Sequence, residues 1–395
     1  MNICGIVCEY NPFHNGHAYQ ISEIRRRLGE DTGIICAMSG DFVQRGEAAV
    51  FDKHSRARAA VMGGADLVLE LPLPWCISSA EGFARGGVGL LGAAGIVTHL
   101  AFGSESGETD ALEGIAELLL QPETDMRIRE ELGSGIPYAA ARQKAMEDMM
   151  GRSLPQLESP NDILAVEYLK AIRTQGLTLK PLVIPRVGAA HDSDAETEYP
   201  SASLLRRKLR NGEDIFAALP AAVGSALLSG RGAVELERIE TALLSRLRFL
   251  PEESFAALPD AGEGLYHRIF RAARTEPTLE AVLDAAAAKR YPRARLRRIC
   301  LCAALGVAAG DSAGIPPYLR VLAANERGIA MLREMEAVCT LPVVTKPGKV
   351  RELNTECRDL FELCAAASDF YCLGFADPTA RTGDRDWKTS PVIVK

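Results

Sequence analysis

Along the first two hundred residues, short continuous apolar runs alternate with longer stretches whose apolar residues recur at helical spacing. The runs 3–8, 33–38, 66–70, 98–102 and 179–184 are almost wholly apolar, which suits parallel strands covered on both faces. Between them, 17–28, 53–62 and 78–91 read as helices. Such alternation predicts a doubly wound, Rossmann-like α/β sheet whose ligands bind beyond the C-terminal ends of the strands. Turns follow Cys8, Met38, Leu71 and Phe102, so those loops should surround one crevice.

After about residue 215 alanine, leucine, arginine and glutamate dominate and strand-like runs nearly vanish. Stretches 215–228, 234–245, 264–273, 279–289 and 294–306 carry helical periodicity. The chain therefore divides into an α/β part, residues 1–210, and a mainly α-helical domain, residues 211–395. The polar stretch 191–200 reads as a loop before the junction.

Composition narrows the class. A net charge of −7 over 395 residues leaves nucleic acid only a local basic patch to bind. The ten cysteines are scattered singly, without Cys-x-x-Cys or zinc-type spacing. That pattern predicts a reducing, cytoplasmic setting and no structural metal. No charged segment precedes an apolar one at the N-terminus, so no signal peptide is expected. No apolar run is long enough for a membrane span. No protein partner is evident.

The chemistry concentrates in Glu9-Tyr10-Asn11-Pro12-Phe13-His14-Asn15-Gly16-His17, a strand end, a tight turn and His-x-Gly-His opening a helix. Only six histidines occur, and two stand three apart here. A helix N-terminus offers unpaired N–H groups to phosphate, and Gly16 lets a phosphate approach the backbone. His14 and His17 can donate to phosphate oxygens as charge rises during displacement at phosphorus. Ser39-Gly40-Asp41-Phe42-Val43-Gln44-Arg45-Gly46 follows the second strand, with Lys53 and Arg56 beyond it. These residues contact substrate or RNA, or form a solvated loop and helix face. Gly103 follows the fourth strand and Arg186 the fifth. Ser159 or Asn161 could cap the helix that begins there. Ser203 and Arg206 lie where hydroxyls and a cation meet a helix start, either a phosphate grip or a plain cap. Residues 264–300 hold nine Lys/Arg against three acids. There Lys289, Arg290, Arg293 and Arg295 surround Tyr291, an arrangement that can neutralise phosphates and stack a base. Neither a P-loop nor a Gly-x-Ser-x-Gly elbow occurs.

The His-x-Gly-His turn and Ser201-Ala202-Ser203-Leu204-Leu205-Arg206 resemble the nucleotidylyltransferase superfamily. Together with Met38–Gly46, Gly64-Ala65-Asp66-Leu67-Val68, Phe102-Gly103-Ser104-Glu105 and Ser159-Pro160-Asn161, they resemble the bacterial tRNA(Met) cytidine acetate ligases. The resemblance implies a nucleotidylyltransferase-like first domain and ATP as co-substrate, with Mg2+. It implies acetate activation to acetyl-adenylate and acetylation of the wobble cytidine of elongator tRNA(Met) at N4. Carried onto this sequence, catalysis falls to His14 and His17. The ATP site would comprise Val7, Glu9, Tyr10, Asn11, Pro12, Phe13, His14, Asn15, Gly16, His17, Gln20, Gly103, Asn161 and Arg186. Ser203 and Arg206 join it from the later helix start. Arg45, Lys53, Lys289, Arg290, Arg293 and Arg295 are the expected tRNA contacts. Two other readings share the first domain: an adenylyltransferase making a small cofactor, and a non-catalytic RNA-binding protein. Neither accounts for all the features, since the first has little use for the basic helical domain and the second none for the histidine pair.

Overall fold

A computed structural model describes residues 1–187, 199–228, 230, 232–262, 264–288 and 290–395. Among the described residues ten strands form: β1 Ile3–Cys8, β2 Gly33–Ser39, β3 Phe42–Val43, β4 Glu47–Ala48, β5 Leu67–Leu71, β6 His99–Ser104, β7 Lys180–Pro185, β8 Leu319–Ala324, β9 Val343–Val344 and β10 Val392–Ile393. The main sheet runs β10-β8-β5-β2-β1-β6-β7, with β9 also on β8. From β5 to β7 neighbours are parallel, with Cys8 opposite Met38 and Gly103 opposite Ile184. The first strand thus lies between the second and the fourth expected ones, and the C-terminal ends gather on one edge.

Alternation within the strands explains the two covered faces. Cys4, Ile6, Ile34 and Cys36 point to one core, against Ile21 and Ile24 of helix α1 (Asn15–Leu28) and Ala57 and Ala60 of helix α2 (Lys53–Met62). Ile3, Ile35 and Ala37 point to the other, against Phe83, Val88 and Leu91 of helix α3 (Ala80–Ala93). Both sides of β2 are fully buried, so its run had to be apolar throughout.

The second half differs from the expectation in one respect. Strands β8, β9 and β10 come from it, and β8 pairs antiparallel with β5 in the same sheet. Arg320 interrupts the apolar run of β8, and its charge is met by Glu70 of β5 and by Asp386. Helix Ala221–Leu228 also packs on α2, through Val223 and Leu227. The helices Leu236–Phe249, Leu265–Thr275, Leu279–Ala286 and Arg293–Leu305 form the helical part proper. Most of the 191–200 loop lies outside the described residues. Among the described residues, no helix is long and apolar enough to cross a membrane.

Candidate active site

The turn between β1 and α1 is built to aim two rings. Tyr10 has φ of 46°, a region that side chains other than glycine rarely adopt. Its ring is buried with the hydroxyl against Cys36, and Phe13 is buried beside it. These two anchors reverse the chain so that His14 becomes the N-cap of α1. His14 Nδ1 accepts from the Gly16 N–H at 3.1 Å, and His17 Nδ1 accepts from the His14 N–H at 3.2 Å. The rings stack with centroids 3.9 Å apart, and His17 meets the edge of Tyr10 at 4.8 Å.

This pairing fixes the proton. Each Nδ1 is an acceptor, so each neutral ring carries hydrogen on Nε2. Burial, then Arg186 and Arg206, lowers the His14 pKa to about 3. Burial, His14 and Arg186 hold His17 well below its ordinary value. Both rings are therefore neutral donors at pH 7, not cations.

An open crevice lies over them. It brings together His14, Gly16, His17, Gln20, Gly103 and Arg186, all foreseen from sequence. Tyr19, Ile184, Pro185, Val187, Tyr199 and Pro200 complete it and were not foreseen. Tyr19 could have been found, since it shares α1 with His17 and Gln20. Tyr199 carried no local signal, and its ring reaches Tyr19 at 5.8 Å only through the fold.

The other expected nucleotide residues stand around the crevice rather than in its lining. Val7 packs on the α3 side, and Tyr10, Pro12 and Phe13 are buried. Asn11 Oδ1 accepts from the Val50 N–H at 2.8 Å, and its carbonyl accepts from Arg206 Nη1 at 3.0 Å. Asn15 Nδ2 donates to the Ala217 carbonyl, and Glu9 Oε1 accepts from the Gln44 N–H at 2.8 Å. Asn161 donates to Glu105, whose carboxylate also accepts from the Asp162 N–H. Asp162 in turn accepts from Ser104 and the Glu105 N–H, which locks the loop after β6 to helix Pro160–Thr174. Ser159 occupies the cap position there without a side-chain bond. Ser201, rather than Ser203, caps helix Ala202–Arg210, and the two hydroxyls are 3.0 Å apart.

Among the expected tRNA contacts, Lys53 is overturned. Its side chain is 2% exposed, with Nζ 2.8 Å from Glu70 and 2.6 Å from Asp386. An ammonium neutralised by buried carboxylates has nothing to offer a phosphate. Arg56 is wholly buried and donates to the carbonyls of Glu9, Phe51, Ser39 and Gly40, stitching the ends of β1 and β2. Tyr291 is buried in the core, so it cannot stack a base. Arg290 and Arg295 lie over its ring, Arg295 also donating to the Asp260 carbonyl. Arg293 pairs with Glu280 and Asp284. Lys289 lies outside the described residues. Arg45 sits on the β3–β4 hairpin. At the next residue, Gly46, φ is 76° and a Cβ would lie 2.6 Å from the Arg298 nitrogen. Only glycine lets the hairpin rest on helix Arg293–Leu305, where Glu47 and Arg297 pair at 2.6 Å. Among the described residues, no three His, Cys, Asp or Glu side chains are grouped to hold a metal ion.

Comparison with known proteins places this geometry. A family model described as HIGH Nucleotidyl Transferase matches residues 1–386. A tRNA(Met) cytidine acetate ligase of Syntrophomonas wolfei is 34% identical over 99% of both chains. One of Acetivibrio thermocellus is 32% identical over 100% of both. The crystal structure of Thermotoga maritima TmcAL superposes with a TM-score of 0.94 at 33% identity, covering both chains fully. A second form of that protein, bound with alpha-thio ATP, gives 0.92.

Proposed function

Because the chain belongs to the tRNA(Met) cytidine acetate ligases, enzymes of the HIGH nucleotidyl transferase family, we propose that it makes acetyl-adenylate from acetate and ATP. It then transfers the acetyl group to N4 of the wobble cytidine of elongator tRNA(Met). One observation carries the first step. Two neutral imidazoles, each with Nε2–H outward, open a helix beside Arg186 in the crevice. The Thermotoga relative's complex with alpha-thio ATP supports ATP as the nucleotide. Mg2+ is expected to arrive on the nucleotide's own phosphates.

Acetate is a poor acyl donor, because its leaving group would be oxide. A carboxylate oxygen attacks the α-phosphorus, that P–O bond forms, and the bond to pyrophosphate breaks. His14 and His17 donate to phosphate oxygens while charge moves onto the leaving group. Neutral donors need no proton transfer, so they stabilise without being consumed. The mixed anhydride then meets a cytidine base splayed from the anticodon loop, which a single-stranded loop permits. In this reading residues 1–210 carry the nucleotide chemistry. Arg45 and the segment around Arg290, Arg293 and Arg295, with Lys289, meet the tRNA backbone.

Incubating bulk tRNA with ATP and labelled acetate, followed by mass analysis of nucleosides, should yield labelled N4-acetylcytidine and AMP without acetyl-CoA. Strict dependence on acetyl-CoA, with no AMP released, would sink the reading.

Gly16 provides a second check. A Cβ there would lie 2.9 Å from His14 Cε1. Gly16→Ala should push the ring off its cap, costing about 1 kcal/mol of stability. Acetate-dependent ATP–pyrophosphate exchange should fall about 10²-fold, because displaced catalytic groups lose rate steeply. Thermal melts and exchange assays measure the two effects.

A further inference from the structure

We propose that Glu9 is the base that takes the N4 proton when the acetyl group moves to cytidine. This rests on the two-step reading above and assigns a residue to its second step.

The argument begins with placement. The nucleotide crevice lies on the β6–β7 side of the His-x-Gly-His turn, lined by Gly103 and Arg186. Glu9 follows β1, but its carboxylate turns to the β2 side, where Oε1 accepts from the Gln44 N–H. Gln44 belongs to the hairpin that rests on helix Arg293–Leu305 through Gly46 and the Glu47–Arg297 pair. Glu9 therefore stands between the nucleotide and the helical part. An RNA base brought in from that part would reach Glu9 before the adenylate's far side.

The neighbouring carboxylates are already committed. Glu47 pairs with Arg297, and Glu105 and Asp162 lock each other's backbone. Asp41 accepts from Ser368 and the Lys53 N–H, and Glu70 pairs with Lys53 and Arg320. Glu9 uses one oxygen, and its Oε2 has no hydrogen-bond partner among the described residues. The residue is half-buried.

The surroundings suit a base. Burial raises the Glu9 pKa, while Arg206, Arg56 and Arg45 pull it back. Tyr168, Cys8 and Cys76 are the other titratable groups near it, and burial keeps all three protonated. A raised pKa makes the carboxylate a stronger base. Arg206 lies within electrostatic reach of both Glu9 and His14, which ties the base to the phosphate side.

The chemistry calls for such a group. The N4 lone pair is delocalised into the ring, so the amine attacks effectively only as it loses a proton. The lone pair forms a bond to the acetyl carbon, and the N–H proton passes to Glu9 Oε2. The carbonyl electrons return and the C–O bond to phosphate breaks, releasing AMP. The products are the N4-acetyl amide, AMP and one proton, which Glu9 passes to water.

The test separates the steps. Glu9→Gln keeps an oxygen for the Gln44 N–H and removes the base. Acetate-dependent ATP–pyrophosphate exchange reads the first step. Single-turnover transfer from enzyme-bound acetyl-adenylate to tRNA reads the second. The variant should lose transfer about 10²-fold more than exchange. Wild-type transfer should rise with pH through the Glu9 pKa, and this limb should vanish in Glu9→Gln. Glu9→Asp, which keeps the carboxylate, should retain the limb at a reduced rate. Equal losses in both steps, or transfer with an unchanged pH profile, would overturn the assignment. Wild-type enzyme without acetate-dependent exchange would instead refute the two-step reading itself, and the assignment with it.

Discussion

Replacing His14 by asparagine should lower acetate-dependent ATP–pyrophosphate exchange by about 10²–10³-fold, the usual loss for one transition-state donor. Asparagine is a good N-cap, so its side chain can still accept from the Gly16 N–H. What disappears is the outward Nε2–H. His17→Gln makes the matching experiment, since glutamine at that position of a helix start reaches back to the cap N–H. Alanine at either site would confuse two losses, because both rings hold the helix start as well as facing the crevice. The pH dependence separates neutral from cationic rings. With the His14 pKa lowered to about 3 by burial, Arg186 and Arg206, the ring charges only in strong acid. Wild-type exchange should therefore show no histidine limb between pH 6 and 8. A decline as pH rises through the ordinary histidine value would mean that a charged ring is required, and the neutral-donor account would fail.

Lys53→Met should destabilise the protein by about 3–5 kcal/mol, the range for removing one partner from a buried ionic group. Methionine nearly preserves the volume, so the loss reports charge. Asp41, Glu70 and Asp386 would then share Arg320 as the cation bonded to the last two. Urea denaturation measures this, as a lower midpoint with an unchanged slope. The acid behaviour follows from sign. Burial pushes the Asp386 carboxyl up, but Lys53 and Arg320 outweigh it and hold the group well below the usual range. Its stabilising contribution is present above the unfolded value, about 3.9, and is lost as pH falls through the folded one. Lys53→Met should flatten that acid dependence. A salt slope of tRNA binding that changes in this variant, at unchanged stability, would restore Lys53 to the RNA surface.

The reading of Lys53 shows where sequence reasoning runs out. Lys53 and Arg56 lie on a helix start after a polar loop, which looks like a solvated or ligand-facing stretch. The carboxylates that meet Lys53 come from elsewhere in the chain. Asp386 is supplied from the far half of the chain, and Glu70 hides inside an otherwise apolar strand. A local pattern cannot reveal a charge met from such a distance. The same reason concealed β8, whose Arg320 looks surface-bound until Glu70 and Asp386 are in place. The His-x-Gly-His turn is legible because the residues that shape it are neighbours in sequence: Tyr10 and Phe13 as anchors, His14 as cap, Gly16 beneath the ring. Gly103 and Arg186 were legible because strand ends in an ordered sheet converge. Tyr199 and the burial of Tyr291 depend on packing between distant segments, and no nearby residue reports them.

The late return of β8 to β5 also has a temporal cost. Translation proceeds at about 5–20 residues per second, so Leu71 precedes Leu319 from the ribosome by on the order of 12–50 s. During that interval the edge of β5 has no neighbour, although its own residues are ready to pair. An unpaired apolar edge is a template for other chains. The nascent protein therefore needs either rapid synthesis of the helical part or a chaperone that covers β5 until residues 319–324 arrive.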